Sequence, residues 1–204
     1  MTMKLADYTW PMMLDSMKPY QHQKESTYFK LANPRCYDLS DLGTGKTLSS
    51  LWAADFLLIN QKIKRVLVVS PLSTLQSVWG GELYRHFRHR SFGIAHGSRP
   101  LRASIIASDK TFVIINHDGV VMMEKEILAA KFDLIIIDEL TAFKRHTTNR
   151  SKAMKRIAQR AKGVWGLTGA PTPNSPTEAY GQALIVNPNN PFIPQSYSQY
   201  RMRV

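Results

Sequence analysis

The sequence predicts an α/β domain in which a mostly parallel sheet carries helices on both faces. Three observations lead there. Short β-branched runs alternate with segments of helical periodicity along most of the chain. Runs such as Leu134-Ile135-Ile136-Ile137 have no polar face and must be covered on both sides, as strands of a helix-sandwiched parallel sheet are. A glycine-rich segment and an acidic pair each follow directly on a predicted strand, and in open α/β sheets ligands sit beyond those carboxyl ends.

The elements follow in order. A strand over 35–39 runs into the glycine-rich segment. A helix over 46–59 comes next, with Leu48, Leu51, Trp52 and Leu58 on one stripe that only Asp55 interrupts. The apolar run at 65–70 is a strand, followed by a helix over 74–87, a short strand over 92–95 and a helix over 101–107. Strands over 111–115, 134–138 and 163–167 then alternate with helices over 119–129, 151–161 and 176–185. We find no internal repeat and no low-complexity tract. Residues 1–186 form one predicted domain. From Asn187 onward the character changes, because Asn187-Pro188-Asn189-Asn190-Pro191 and Pro194 break regular structure. Residues 187–204 are expected to be an irregular surface extension, or the start of a segment absent from this chain.

With 204 residues, 44% of them hydrophobic, the chain can bury one real core but not two full-sized lobes. No apolar run approaches the length of a membrane span, and the amino-terminal residues lack the apolar stretch of a secretion signal. No membrane partner is expected. A single cysteine, Cys36, excludes an internal disulfide and a zinc framework, and a cytoplasmic setting fits. The net charge is +12 and unevenly placed: no acidic residue lies between Glu139 and Glu178, and Glu82 is the lone acid between Lys62 and Arg102. Such patches attract polyanions; they also serve as ordinary solvated surface. His86, His89 and His96 lie among arginines with only Glu82 nearby and do not make a metal site.

The segment Ser40-Asp41-Leu42-Gly43-Thr44-Gly45-Lys46-Thr47 has the make-up of a phosphate loop. Gly43 and Gly45 let the chain turn back so that backbone N–H groups face inward, with Thr44 between them. The helix opening at Lys46 points its positive end at the phosphates. Lys46 would reach the β- and γ-phosphates, and the Thr47 hydroxyl would ligate magnesium. Ser40 stands where the pattern usually has Gly or Ala; it is small enough for the close approach to survive. Asp138-Glu139 closes the strand at 134–138: Asp138 would hold the metal, directly or through water, and Glu139 would accept a proton from the attacking water. ATP and Mg2+ are therefore the expected ligands.

A family resemblance now becomes specific. Pro19-Tyr20-Gln21 precedes the loop. After it come Val66-Leu67-Val68-Val69 running into Ser70-Pro71-Leu72-Ser73, then Trp79 and Glu82, Ile115-Asn116-His117-Asp118, Asp138-Glu139-Leu140-Thr141 with Lys144, and Leu167-Thr168-Gly169-Ala170-Pro171. This ordered series, from about Pro19 to Pro188, resembles the first RecA-like domain of superfamily 2 helicases, the Swi/Snf-like branch above all, and its compact bacteriophage versions most. The resemblance implies roles. Gln21 would read the adenine edge. Ser70, Pro71 and Ser73 would touch the nucleic-acid backbone, with Asn116 and Lys144 also on the nucleic-acid side. Thr168 and Gly169 would couple the nucleotide site to the nucleic-acid path. Trp79 is expected to pack rather than to make contacts.

Two departures stand out. The acidic motif reads Asp-Glu-Leu-Thr where the family often has Asp-Glu-Ala-His, so Thr141 can donate a hydrogen bond but carries no charge. Ala170 replaces a usual Thr. The resemblance further implies ATP hydrolysis coupled to movement on, or remodelling of, double-stranded DNA, in the host cytoplasm if the chain is viral. It implies a second RecA-like lobe, in cis or in trans, whose arginines complete the site; the lone lobe is expected to hydrolyse ATP poorly. One rival is a non-catalytic helicase-like module that binds DNA or a protein partner without ATP turnover. The other is a small-molecule kinase on the same loop, which the basic stretches and the lack of an obvious acceptor lid oppose.

Overall fold

The computed structural model describes residues 3–12, 18–172, 174–194 and 196–204. Its centre is a six-stranded sheet in the order β1-β6-β5-β2-β4-β3. The strands are β1 (Arg35–Asp38), β2 (Val66–Ser70), β3 (Phe92–Ile94), β4 (Phe112–Asn116), β5 (Leu134–Asp138) and β6 (Gly163–Leu167). All neighbouring pairs are parallel, so the expected "mostly parallel" sheet is parallel throughout the described residues. Every strand therefore ends on the same edge. β6 lies between β1 and β5, and the register sets Asp38 and Asp138 level with Leu167, one on each side. At about 4.8 Å per strand the two acids' backbones are about 10 Å apart.

The pleat explains why the strands read as unbroken apolar runs. Ile135 and Ile137 of β5 join one core cluster, and Leu134 and Ile136 join the cluster on the other face. β2 and β4 divide in the same way. Each fully buried aliphatic side chain contributes about 1.5–3 kcal/mol, and on a sheet covered on both sides every strand position collects it. One face is covered by α1 (Gln21–Ala32), α2 (Lys46–Ile59) and α3 (Gly81–His86). The other is covered by α4 (Arg99–Ala107), α5 (His117–Met122), α6 (Glu124–Ala130), α7 (Asn149–Ala158) and α8 (Ala179–Val186). Among the described residues no helix is long and apolar enough to cross a membrane.

Four differences from expectation stand out. α1 is not among the expected helices: Gln-His-Gln-Lys-Glu-Ser-Thr-Tyr-Phe-Lys-Leu-Ala has no apolar stripe, and its fully buried residues are Thr27 and Lys30. The helix expected over 74–87 begins as a wide π turn, Leu75–Gly80, before α3. The helix expected over 119–129 is broken at Met123, which is fully buried between α5 and α6. The segment after Asn187 is not irregular throughout. It carries a short helix, α9 (Tyr197–Arg201), whose Tyr197 and Tyr200 rings pack on Tyr180 at 5.5 and 5.1 Å between centroids.

Candidate nucleotide site

β1 stops at Asp38 and the chain turns through the glycine-rich loop into α2. Gly45 sits at the helix amino terminus with φ of +82°, and a Cβ there would lie 2.3 Å from the Gln23 amide nitrogen. The left-handed backbone favours glycine, and the Gln23 side chain of α1 occupies the space a Cβ would take. No side chain caps the first turn of α2. The Lys46 ammonium donates to the Ser40 and Asp41 carbonyls at 2.6 and 2.8 Å, folding the lysine back along its own loop. Thr44 Oγ1 donates to the Asp41 carbonyl at 2.8 Å, and the His22 ring of α1 donates Nε2–H to the Thr44 carbonyl at 3.1 Å. Thr47 is half-buried in the same turn.

The acidic pair stands across β6. Asp138 is held at three points. Its Oδ2 accepts from Trp79 Nε1 at 2.9 Å, its Oδ1 accepts from the Glu139 N–H at 3.1 Å, and its carbonyl accepts from His117 Nε2 at 2.8 Å. Burial lowers the His117 pKa, so the ring is neutral at neutral pH and its Nε2–H tautomer is the one this bond selects. Glu139 has φ of +50°, a left-handed conformation that costs a non-glycine residue about 1 kcal/mol or more. That turn directs the chain into the 3-10 segment Leu140–Phe143.

The end of β6 closes the arrangement. The Thr168 N–H donates to the Asp38 carbonyl at 3.1 Å, extending the ladder one residue beyond β6. Gly169 lies against the glycine-rich loop, where an added Cβ would be 3.7 Å from the Ser40 carbonyl oxygen and 3.8 Å from Leu42. The outcome is one open cleft of about 540 Å³ lined by Asp41, Leu42, Glu139, Thr141, Thr168, Gly169 and Ala170. Asp41 and Leu42 of the loop, Glu139 and Thr168-Gly169 thus meet there from three strand ends, while Thr44 and Lys46 line a separate cavity of about 280 Å³. Among the described residues no cluster of three or more His, Cys, Asp or Glu could hold a metal ion by itself. The Thr47 hydroxyl and Asp138 carboxylate are hard oxygen donors of the kind magnesium takes together with phosphate oxygens and water, so they fit that ion.

The remaining candidates are more scattered. Gln21, at the start of α1, is exposed and donates to Glu25 at 3.0 Å; its neighbour His22 reaches the loop. Ser70 and Asn116 are paired across β2 and β4 farther along the same edge, and both are buried. The Asn116 Oδ1 is taken by Arg102 Nη1 at 2.9 Å. Pro71 is half-exposed, and Ser73 is the hydroxyl of that motif that faces solvent. Lys144 pairs with Glu178 at 2.8 Å and is partly exposed. Trp79 packs as expected, fully buried, but also donates to Asp138, a role that no local pattern signals. The orienting bond from His117 was likewise not foreseen, although the residue stands in a motif of the resemblance.

The profile of the SNF2-related domain matches residues 39–200. Protein p41 of Acyrthosiphon pisum secondary endosymbiont phage 1 is 30% identical over 181 residues, covering 83% of this chain and 39% of that protein. SWI/SNF-related matrix-associated actin-dependent regulator of chromatin subfamily A-like protein 1 of Xenopus tropicalis is 31% identical over 158 residues, covering 76% of this chain and 16% of that protein. The Sulfolobus solfataricus SWI2/SNF2 ATPase core in complex with dsDNA superposes with a TM-score of 0.79 at 23% identity, over 94% of this chain and 40% of that one. The chain thus spans well under half the length of each. It belongs to the SNF2-related domain family of helicase-like ATPases and has the fold of their first RecA-like lobe.

Proposed function

We propose that the chain binds ATP with magnesium and hydrolyses it as one lobe of a two-lobed motor that moves on or remodels double-stranded DNA. The observation that supports this reading is the cleft that gathers Asp41 and Leu42 of the glycine-rich loop, Glu139 and Thr168-Gly169 at the carboxyl ends of β1, β5 and β6. In this scheme Lys46 exchanges its loop carbonyls for β- and γ-phosphate oxygens, and the backbone of Gly43, Thr44 and Gly45 with the start of α2 holds the remaining charge. Thr47 and Asp138 would hold magnesium, whose positive charge would offset that of the transferred phosphoryl group. Trp79 and His117 hold Asp138 in place. Glu139 takes the proton from the attacking water as the bond to the ADP oxygen breaks. Gln21 reads the adenine edge beside His22.

The DNA side rests on the excess of positive charge, on the exposed Ser73 with Pro71, and on Lys144. Ser70 and Asn116 would contribute through backbone groups and by shaping the edge, since their side chains are buried. The likeness to an archaeal core bound to dsDNA favours duplex over other nucleic acids. Thr168 and Gly169 touch both sheet end and phosphate loop, which suits a coupling element. A second lobe would supply the arginine worth several powers of ten in rate, so these 204 residues alone are expected to turn over slowly.

The test is nucleotide binding and DNA-dependent hydrolysis. Wild type should bind ATP only with magnesium, K46A should not bind it, and DNA binding should weaken steeply with salt. ATP binding indifferent to K46A would refute the nucleotide site. Brisk hydrolysis by a verified monomer would refute the need for a second lobe.

A further inference from the structure

A buried charge pair lies beneath the phosphate loop, and the hydrolytic scheme does not use it. Lys30 of α1 and Asp38 at the end of β1 meet at 2.5 Å, with side chains 0% and 4% exposed. The Lys30 ammonium also donates to Ser26 Oγ at 2.6 Å and Ser49 Oγ at 3.3 Å, so all three of its protons have partners. The other Asp38 oxygen, Oδ1, accepts both the N–H and the hydroxyl of Ser40, at 3.1 and 2.5 Å. The Ser40 carbonyl in turn accepts from Lys46. The chain of contacts therefore runs Lys30, Asp38, Ser40, Lys46, from the back of α1 to the phosphate lysine. Ser26, Ser40, Lys46 and Ser49 line a small cavity of about 280 Å³ together with His22 and Thr44.

Burial alone would raise the Asp38 pKa, but the Lys30 ammonium and the bonds from Ser40 outweigh it and hold the group at about 2. The carboxylate is thus a fixed negative charge at the base of a loop read here as an anion site. An apolar pair would pack α1 on β1 at no greater cost, because burying two charges offsets most of their attraction. The polar solution calls for a use. We propose that Lys30 and Asp38 are positioning residues for the phosphate loop: Asp38 fixes its Ser40 end, and Lys30 cancels the charge that Asp38 would otherwise turn toward the triphosphate. Because α1 also carries Gln21 and His22, the same pair locks the base-reading helix to the phosphate-binding loop. This inference rests on the nucleotide reading above.

The test is calorimetric titration of the chain with ATP, ADP and adenosine in the presence of magnesium. K30M leaves the Asp38 charge uncancelled. It should weaken ATP at least about tenfold, ADP less, and adenosine less than about twofold. K30M/D38N is neutral at both positions and keeps a carbonyl for Ser40, and it should return ATP affinity to within about threefold of wild type. K30M/D38A is also neutral at both positions but offers Ser40 no acceptor, and it should bind ATP at least about threefold more weakly than K30M/D38N with adenosine unchanged; this comparison holds even if K30M does not fold. ATP binding lost on K46A, but with K30M weakening ATP and adenosine equally or not at all, or with K30M/D38A and K30M/D38N binding ATP equally, overturns this inference alone. Wild-type ATP binding that is absent, or indifferent to K46A, overturns the nucleotide reading and this inference with it.

Discussion

Replacing Trp79 by Phe separates its two roles, filling the core and holding Asp138. The indole is fully buried and gives its only proton to Asp138 Oδ2 at 2.9 Å. Losing a hydrogen bond to a charged group costs about 1.5–3 kcal/mol. The smaller ring leaves about 40 Å³ unfilled, worth about 1 kcal/mol at about 24 cal/mol per Å³. Together that is about 2.5–4 kcal/mol, or a fall in Tm of about 5–15 °C for a chain of this size. W52F is the control. Trp52 is equally buried and donates to the neutral Pro11 carbonyl at 2.9 Å, so W52F should cost about 1.5–2.5 kcal/mol from the same lost volume and a weaker hydrogen bond. Only W79F should disturb the carboxylate expected to hold magnesium. In magnesium titrations of ATP binding, well below either variant's Tm, W79F should need about ten- to a hundredfold more magnesium, the usual penalty for losing an orienting partner of a metal ligand. W52F should titrate as wild type does. If both variants shift the magnesium midpoint equally, or neither does, Trp79 is packing alone and the orienting role is wrong.

Three further outcomes are expected. E139Q should keep ATP affinity within about twofold while hydrolysis, measured with a second lobe and DNA supplied, falls at least about a hundredfold; a variant that loses binding in step with turnover contradicts the base assignment. Lys131 closes α6 in the left-handed conformation, φ +52°, and is exposed, so K131G should raise stability by about 0.5–1 kcal/mol in urea unfolding without changing nucleotide affinity. Asp38, lowered from 3.8 to about 2, contributes stability that is fully present above pH 3.8 and lost as pH falls through about 2. Between pH 5 and 2, wild type should lose about 2 kcal/mol more than D38N, and parallel acid curves for the two proteins would show that the pair contributes nothing to this limb.

The sequence by itself determined the strands to within a residue or so and placed the glycine-rich loop and acidic pair at strand ends. The reason is local: a strand covered on both faces must be apolar at every position, and a loop that turns back must place glycine at Gly43 and Gly45. Most helices were legible through their apolar stripes. α1 was not, because the face it buries is Thr27 and Lys30, which satisfy hydrogen bonds and charge instead of packing oil. The tertiary structure alone decided which polar groups meet. Trp79 and Asp138 are 59 residues apart, and their pairing depends on how α3's leading turn lies over the end of β5. The same holds for Ser70 and Asn116: a motif shows that they stand at strand ends, but only the packed fold shows their side chains turned inward, with Asn116 held by Arg102. Periodicity encodes whether a residue is buried; the partner it finds there depends on the distances between elements, which no single stretch of chain contains.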